Sequence, residues 1–144
     1  MPHSSKCNII PGMRYKDAPA AIDWLCQAFG FSAHLVVPDG DGGIAHAQLT
    51  LGNGMIMLGS FREEGEYDRL VKLPRDAGGS TQAAYVVVED IEAHYQNAVE
   101  RGARIVYELA DQDYGGKLYS ALDPEGHLWN FGSYDPWAEI HDQR

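Results

Sequence analysis

Apolar and polar positions change rhythm several times along this chain, and the changes divide it into elements. Residues 8–16 read as a strand that stops at Asp17. Asp17-Ala18-Pro19 then opens a helix, with Asp as N-cap and Pro in the first turn, where its missing N–H has no partner to lose. Ile22, Leu25, Cys26 and Phe29 fall at i, i+3, i+4 and i+7, one apolar stripe, and Gly30 ends the helix. Three strand-like runs follow, residues 31–38, 44–51 and 55–60. They are joined by Asp39-Gly40-Asp41-Gly42-Gly43 and by Gly52-Asn53-Gly54, both of hairpin-turn composition. In the second run His46, Gln48 and Thr50 alternate with Ala45, Ala47, Leu49 and Leu51. The apolar set is expected to face the helix and the polar set the opposite side of the sheet.

Residues 61–79 break the pattern. They are charged and polar, contain Pro74 and Gly78-Gly79, and read as a linker whose apolar Leu70, Val71 and Leu73 pack back onto the surface. The pattern then restarts. Residues 81–88 read as a strand, and Asp90 caps a helix with Ile91, His94, Tyr95, Ala98 and Val99 on one stripe. Gly102 ends it, and strands are expected over 104–109, 118–122 and 127–133. Gly54 lies as far beyond Gly30 as Gly126 lies beyond Gly102, and Leu58-Gly59-Ser60 is matched by Phe131-Gly132-Ser133. This is an internal repeat. The expected fold is α+β: a single domain of two tandem β-α-β-β-β modules, at about 8–60 and 80–134, joined by the 61–79 linker. One helix covers one face of each sheet, so the free faces must curl around a shared cavity, where a ligand would sit.

Charge narrows the partners. The net charge is −10, with no cluster of Lys and Arg, which argues against nucleic acid. No run of apolar residues reaches membrane-span length and no signal sequence is visible, so a cytoplasmic protein without membrane attachment is expected. Cys7 and Cys26 have no metal-site or disulfide-framework spacing, and Cys26 reads as a small core residue.

Four stretches carry a resemblance: Asp17-Ala18-Pro19-Ala20-Ala21-Ile22-Asp23-Trp24, Phe29-Gly30-Phe31, Val88-Glu89-Asp90-Ile91 and Asp123-Pro124-Glu125-Gly126-His127. In this order and spacing the chain resembles the vicinal oxygen chelate superfamily, which includes glyoxalase I, the bleomycin-resistance proteins and extradiol dioxygenases. The resemblance implies a cavity and, in the enzymes, a divalent metal held by two side chains from each module. Carried over residue by residue, those positions are Ile10, Met57, Ala84 and Asn130. A divalent ion of this kind wants carboxylate or imidazole. Two of the four offer no donor, one a soft thioether and one a neutral amide, so neither a metal nor another cofactor is expected.

The expected ligand-binding set is Arg14, His46, Gln48, Met57, Tyr119 and Asn130, with no catalytic residue assigned. Arg14 shares the inward face with Ile10, and the resemblance suggests an anionic group of the ligand for it; a surface or intersheet ion pair is the other reading. Tyr119, and less so Tyr114, would stack on a planar ligand. Asn130 would point inward while Trp129 and Phe131 pack under the second helix. His127 reads as structural, His34 and His94 as isolated, and His3 and His141 lie near the ends. Trp137 is expected to fold over the domain or against a second copy, and a homodimer is expected. The function expected is metal-free binding of a small organic molecule, with antibiotic sequestration as one form of it; the acidic surface would suit a cationic drug. The alternative is a metal-dependent lyase or dioxygenase with relocated ligands such as His46 and Glu108, or a metal-free isomerase using His46 as base.

Overall fold

The computed structural model describes residues 6–138. In the first half, β1 (Gly12–Tyr15), α1 (Ala18–Phe29), β2 (Ser32–Pro38), β3 (Ile44–Leu51) and β4 (Gly54–Ser60) follow in order, and the sheet runs β1-β4-β3-β2. The connecting segment is more than a spacer. It holds a 3-10 turn at Tyr67–Arg69 and a short helix, α2 (Pro74–Ala77), begun by Pro74 and ended by Gly78 at φ 85°. The second half repeats the first: β5 (Ala84–Val87), α3 (Ile91–Glu100), β6 (Arg104–Asp111), β7 (Lys117–Leu122) and β8 (Leu128–Gly132), in the order β5-β8-β7-β6. β1 with β4 and β5 with β8 pair in parallel; the other neighbours are antiparallel. The sequence reading had both parallel strands too long. Residues 8–11 and 81–83 lie outside β1 and β5, although the Pro11 carbonyl still accepts from the Met57 amide at 2.9 Å.

Both long helices start as the sequence dictates. Asp17 accepts from the Ala20 amide and Asp90 from the Ala93 amide, each at 3.2 Å. Gly30, at φ 87°, closes α1 in the left-handed conformation that a side chain would strain. The buried faces of α1 and α3 meet each other and the helix-facing sides of both sheets, so one core serves both halves. Phe29 lies 4.6 Å from Phe131 and 5.6 Å from Trp129, ring centre to ring centre. Burying each such side chain is worth about 1.5–3 kcal/mol.

The halves are also joined by hydrogen bonds. Trp24 Nε1 donates to the Arg101 carbonyl at the end of α3, while Asn97 Nδ2 and His94 Nε2 on α3 donate to the carbonyls of Gln27, Ala28 and Phe29 at the end of α1. Each helix thus ties down the otherwise unpaired C-terminal carbonyls of the other. His94 is therefore not isolated, contrary to expectation. Its Nδ1 accepts from the Tyr119 hydroxyl at 2.7 Å, and burial pushes its pKa down, the Phe29 bond opposing in part. At the turn before β8, the buried Asp123 accepts from the Tyr15 hydroxyl (2.6 Å) and from Trp129 Nε1 (3.1 Å). Glu125 accepts from the Lys16 and Asp17 amides, and His127 Nε2 donates to the Arg14 carbonyl, a structural role as expected. The opposite faces of the sheets stay open, and β2 is exposed along its whole length.

Candidate functional site

A cavity of about 690 Å³ lies where the two halves approach each other on the side away from the helices. Residues 11–14 of β1 and its approach, with Ile56–Leu58 of β4 and His46 of β3, form one wall. The connecting segment from Tyr67 to Ala77 forms the second, and residues 79–84 with His127–Trp129 close it from the other half.

Strand alternation decides which side chains reach it. Tyr15 and Met13 turn to the core, so Gly12 and Arg14 turn to the open face. Met57 pairs with Gly12 and with Gln48, and His46 follows on the same face of β3. Arg14, His46 and Met57 therefore line the cavity as expected. Gln48 lies outside the lining, and its Nε2 stands 3.0 Å from His46 Nε2.

Arg14 is held from three sides. Its Nε donates to Asp68 Oδ1 at 2.8 Å, its guanidinium carbon stands 4.8 Å from the centre of the Tyr67 ring, and Gly59 leaves room beneath it. A Cβ at position 59 would come within 3.0 Å of Nη1. Asp68 is 4% exposed and also accepts from the Arg62 amide. Burial pushes its carboxyl up, but the bonds from Arg14 and the Arg62 amide outweigh that and hold it below the ordinary carboxylate value. Arg14 is thus ion-paired while its side chain still faces the cavity, although the partner is a buried aspartate of the connecting segment and not a surface or opposite-sheet residue. Nothing in the sequence singled out Tyr67 or Asp68, which sit in a run of charges. Of the apolar trio in that segment, Leu73 is buried, Val71 half-buried, and Leu70 is 80% exposed.

Two expected ligand contacts are corrected. Tyr119 is fully buried on the helix side of β7, where it pairs with Phe131 and bonds to His94; it cannot stack on a ligand. Its neighbours Leu118 and Ser120 occupy the open face instead. Asn130 does point to the open face, between β7 and β5, but its amide is engaged at both ends. Oδ1 accepts from the Ser120 hydroxyl at 2.6 Å and Nδ2 donates to the Ala84 carbonyl at 3.3 Å. It is a structural amide outside the cavity lining. Tyr114 packs edge-on against Tyr134, and Tyr85, whose hydroxyl donates to the Tyr134 carbonyl, lies across Gly132. Trp137 is 94% exposed and so does not cover its own chain; His3 and His141 fall outside the described residues.

The carried-over metal positions do not come together as a donor set. Ile10 precedes β1, and Ala84 turns to the core, its place on the open face taken by Tyr85. With Met57 and an already bonded Asn130, this chemistry does not fit a hard or borderline divalent ion. The alternative ligand Glu108 is exposed on β6, and no group of three or more His, Cys, Asp or Glu side chains suited to a metal occurs among the described residues.

Comparison with known proteins gives a consistent picture. Residues 9–131 match the model of the Glyoxalase/Bleomycin resistance protein/Dioxygenase superfamily. An uncharacterized protein of Mycobacterium bovis is 31% identical over 91% of this chain and 84% of its own length. A counterpart from Mycobacterium tuberculosis is also 31% identical, over 91% and 75%. The crystal structure of TioX from Micromonospora sp. ML1 superposes with a TM-score of 0.70 at 34% identity, covering 88% of this chain and 97% of that one. The fosfomycin resistance protein FosX from Mesorhizobium loti superposes with a TM-score of 0.63 at 8% identity, covering 92% and 96%, a likeness of fold alone. No helix among the described residues is long and apolar enough to cross a membrane.

Proposed function

The chain belongs to the glyoxalase/bleomycin resistance protein/dioxygenase superfamily, and within it we propose a protein that binds a small organic molecule in the 690 Å³ cavity without a metal. The observation that carries this reading is the side-chain chemistry where superfamily enzymes hold their ion. Met57 offers only a soft thioether, Ala84 faces the core, and the Asn130 amide is occupied by Ser120 and the Ala84 carbonyl. The cavity itself falls in the usual size range for small-molecule sites, and its wall combines apolar side chains with a few polar ones. A solved neighbour carries the name of a fosfomycin resistance protein. If the ligand of this chain is an antibiotic, binding alone protects by lowering the free drug concentration.

A homodimer goes with this reading. Leu35 and Val37 on β2 and Val87 on β5, each 40–44% exposed, turn to the open faces of their sheets and offer apolar area that a second copy would cover. Sedimentation equilibrium tests this, with a mass near twice the 15.9 kDa chain expected and a monomer at all concentrations the contrary result.

Metal content and ligand binding test the central claim together. Protein purified without a tag should retain far less than one zinc, nickel, manganese or iron per chain by plasma mass spectrometry, before and after dialysis against each ion, and still bind small molecules. One tightly retained ion per chain, with binding lost on chelation, would replace this reading with a metal-dependent one.

A further inference from the structure

Part of the cavity wall is made of consecutive residues, which side chains alone do not produce. Successive side chains on a strand point to opposite faces. Yet residues 11–14 all border the cavity, and so do residues 79–84 on the far wall. The cavity therefore also meets backbone edges, and β1 and β5 are edge strands of their sheets.

The bonds that β1 already makes show where its backbone groups point. The Met57 amide donates to the Pro11 carbonyl and the Phe61 amide to the Tyr15 carbonyl, both at 2.9 Å. In a parallel ladder alternate residues bond to the same neighbour, so residues 11, 13 and 15 face β4 while Gly12, Arg14 and Lys16 face away. The second half of the molecule occupies one end of that free edge. The Lys16 amide donates to Glu125 Oε1 at 2.6 Å, and the Arg14 carbonyl accepts from His127 Nε2 at 3.0 Å. Gly12 is at the other end. Among the described residues no group is hydrogen-bonded to its N–H or its carbonyl on that edge. On the far wall, the Val88 amide donates to the Gly132 carbonyl, so by the same alternation Ala83 faces away from β8.

The identity of residue 12 points the same way. Its φ is not positive, and a Cβ built there meets nothing within 4 Å. Neither backbone conformation nor packing asks for glycine, and glycine weakens a strand. What its bare backbone does permit is close approach from the cavity. We propose that the ligand of this cavity is peptide-like: it carries a secondary amide and pairs with Gly12 as one residue of an added strand. The ligand N–H donates to the Gly12 carbonyl, and the ligand carbonyl accepts from the Gly12 N–H. Met57, Val71 and Leu128 receive its apolar groups, and Ala83 offers a second edge to a longer ligand. This rests on the small-molecule reading above and names the ligand class. Recognition is by backbone, so it needs no charge on the ligand.

Three neutral probes of one shape decide the matter, titrated into the full chain by calorimetry. They are 2-naphthoyl-leucine dimethylamide, its ester analogue with oxygen in place of the leucine N–H, and its N-methyl-leucine analogue. The amide should bind about tenfold more tightly than the ester, the worth of one well-made hydrogen bond. The N-methyl form, whose methyl group blocks the edge, should be weakest. Gly12→Ala keeps the N–H and should keep the amide-to-ester ratio of the wild type. Gly12→Pro puts a ring carbon where the N–H was and holds a ligand backbone off the edge, so the ratio should fall to about one. Proline is tolerated at an edge position whose N–H makes no ladder bond, and thermal unfolding checks that the variant folds. Should it not fold, the wild-type ratio decides alone. A ratio near one in the wild type, or one unchanged in a folded Gly12→Pro, would overturn the edge pairing and leave the small-molecule reading standing. No binding of any probe at millimolar concentration would overturn both.

Discussion

Two stretches of this chain each bury one aspartate to the same degree, and they use it for different ends. Asp123, in the turn before β8, is 4% exposed and so is Asp68, in the segment between the halves. The donors to Asp123 are neutral and belong to the core: the Tyr15 hydroxyl, Trp129 Nε1 and the amides of Glu125 and His127. It ties β1 of one half to β8 of the other, and with burial as the larger cause it keeps the Tyr15 hydroxyl protonated far above its ordinary pKa. The side-chain donor to Asp68 is a guanidinium that faces the cavity. Burial alone therefore does not separate a structural carboxylate from one that shapes a site. The charge and position of its partners do.

The largest effect that tests this contrast is expected from Asp123→Ala. Removing the carboxylate orphans two buried side-chain donors, at roughly 1–3 kcal/mol each, so urea denaturation should show a loss of several kcal/mol. A loss below about 1 kcal/mol would mean that apolar contacts alone hold the junction and that the two aspartates are not so different.

Titration should separate the two regions next. His94 belongs to the helix side, and its folded-state pKa lies below the ordinary value of about 6.5. The folded protein resists the proton that the unfolded chain accepts, so its contribution is complete above about pH 6.5 and is lost as pH falls through that value. Asp68, also held below its ordinary value, contributes fully above about pH 3.9 and loses that contribution only as pH falls further. Between these limits His94→Gln should flatten the pH dependence of stability while Asp68→Asn should not. The reverse pattern would place the sensitive group at the cavity.

Smaller effects on stability are expected on the cavity side. Asp68→Asn should cost about 1–2 kcal/mol in thermal unfolding, since Arg14 is half-buried and can regain water when released. Met57→Ala should cost less than about 1 kcal/mol and instead alter ligand affinity, because the thioether is half-exposed on the open face. A loss of several kcal/mol would place Met57 in packed core.

Most of the fold was legible because its punctuation is local. Asp17 and Asp90 announce their helices by capping them, Gly30 and Gly102 end them at positive φ, and the repeat follows from that spacing. The alternation in β8 also held: Trp129 and Phe131 face the core and Asn130 the open side. Tyr119 went wrong although the information was present. Antiparallel pairing through the turn sets it opposite Phe131, so a core Phe131 requires a core Tyr119. The strand itself offered no guide, since Leu118 and Leu122 make its other face apolar too. Asp68 and Tyr67 were not legible at all. Their roles depend on a long-range return of the connecting segment to Arg14, which no periodicity records.

Gly59 and Gly132 occupy matching places at the ends of β4 and β8, and each leaves a hollow that a large side chain fills: the Arg14 guanidinium in one half, the Tyr85 ring in the other. In a deep mutational library sorted for ligand retention, Gly59 should therefore rank with the contact residues although it has no side chain to touch anything. In the same library sorted only for soluble yield, position 59 should look far more permissive. Such a scan would trace the outline of the cavity through its floor.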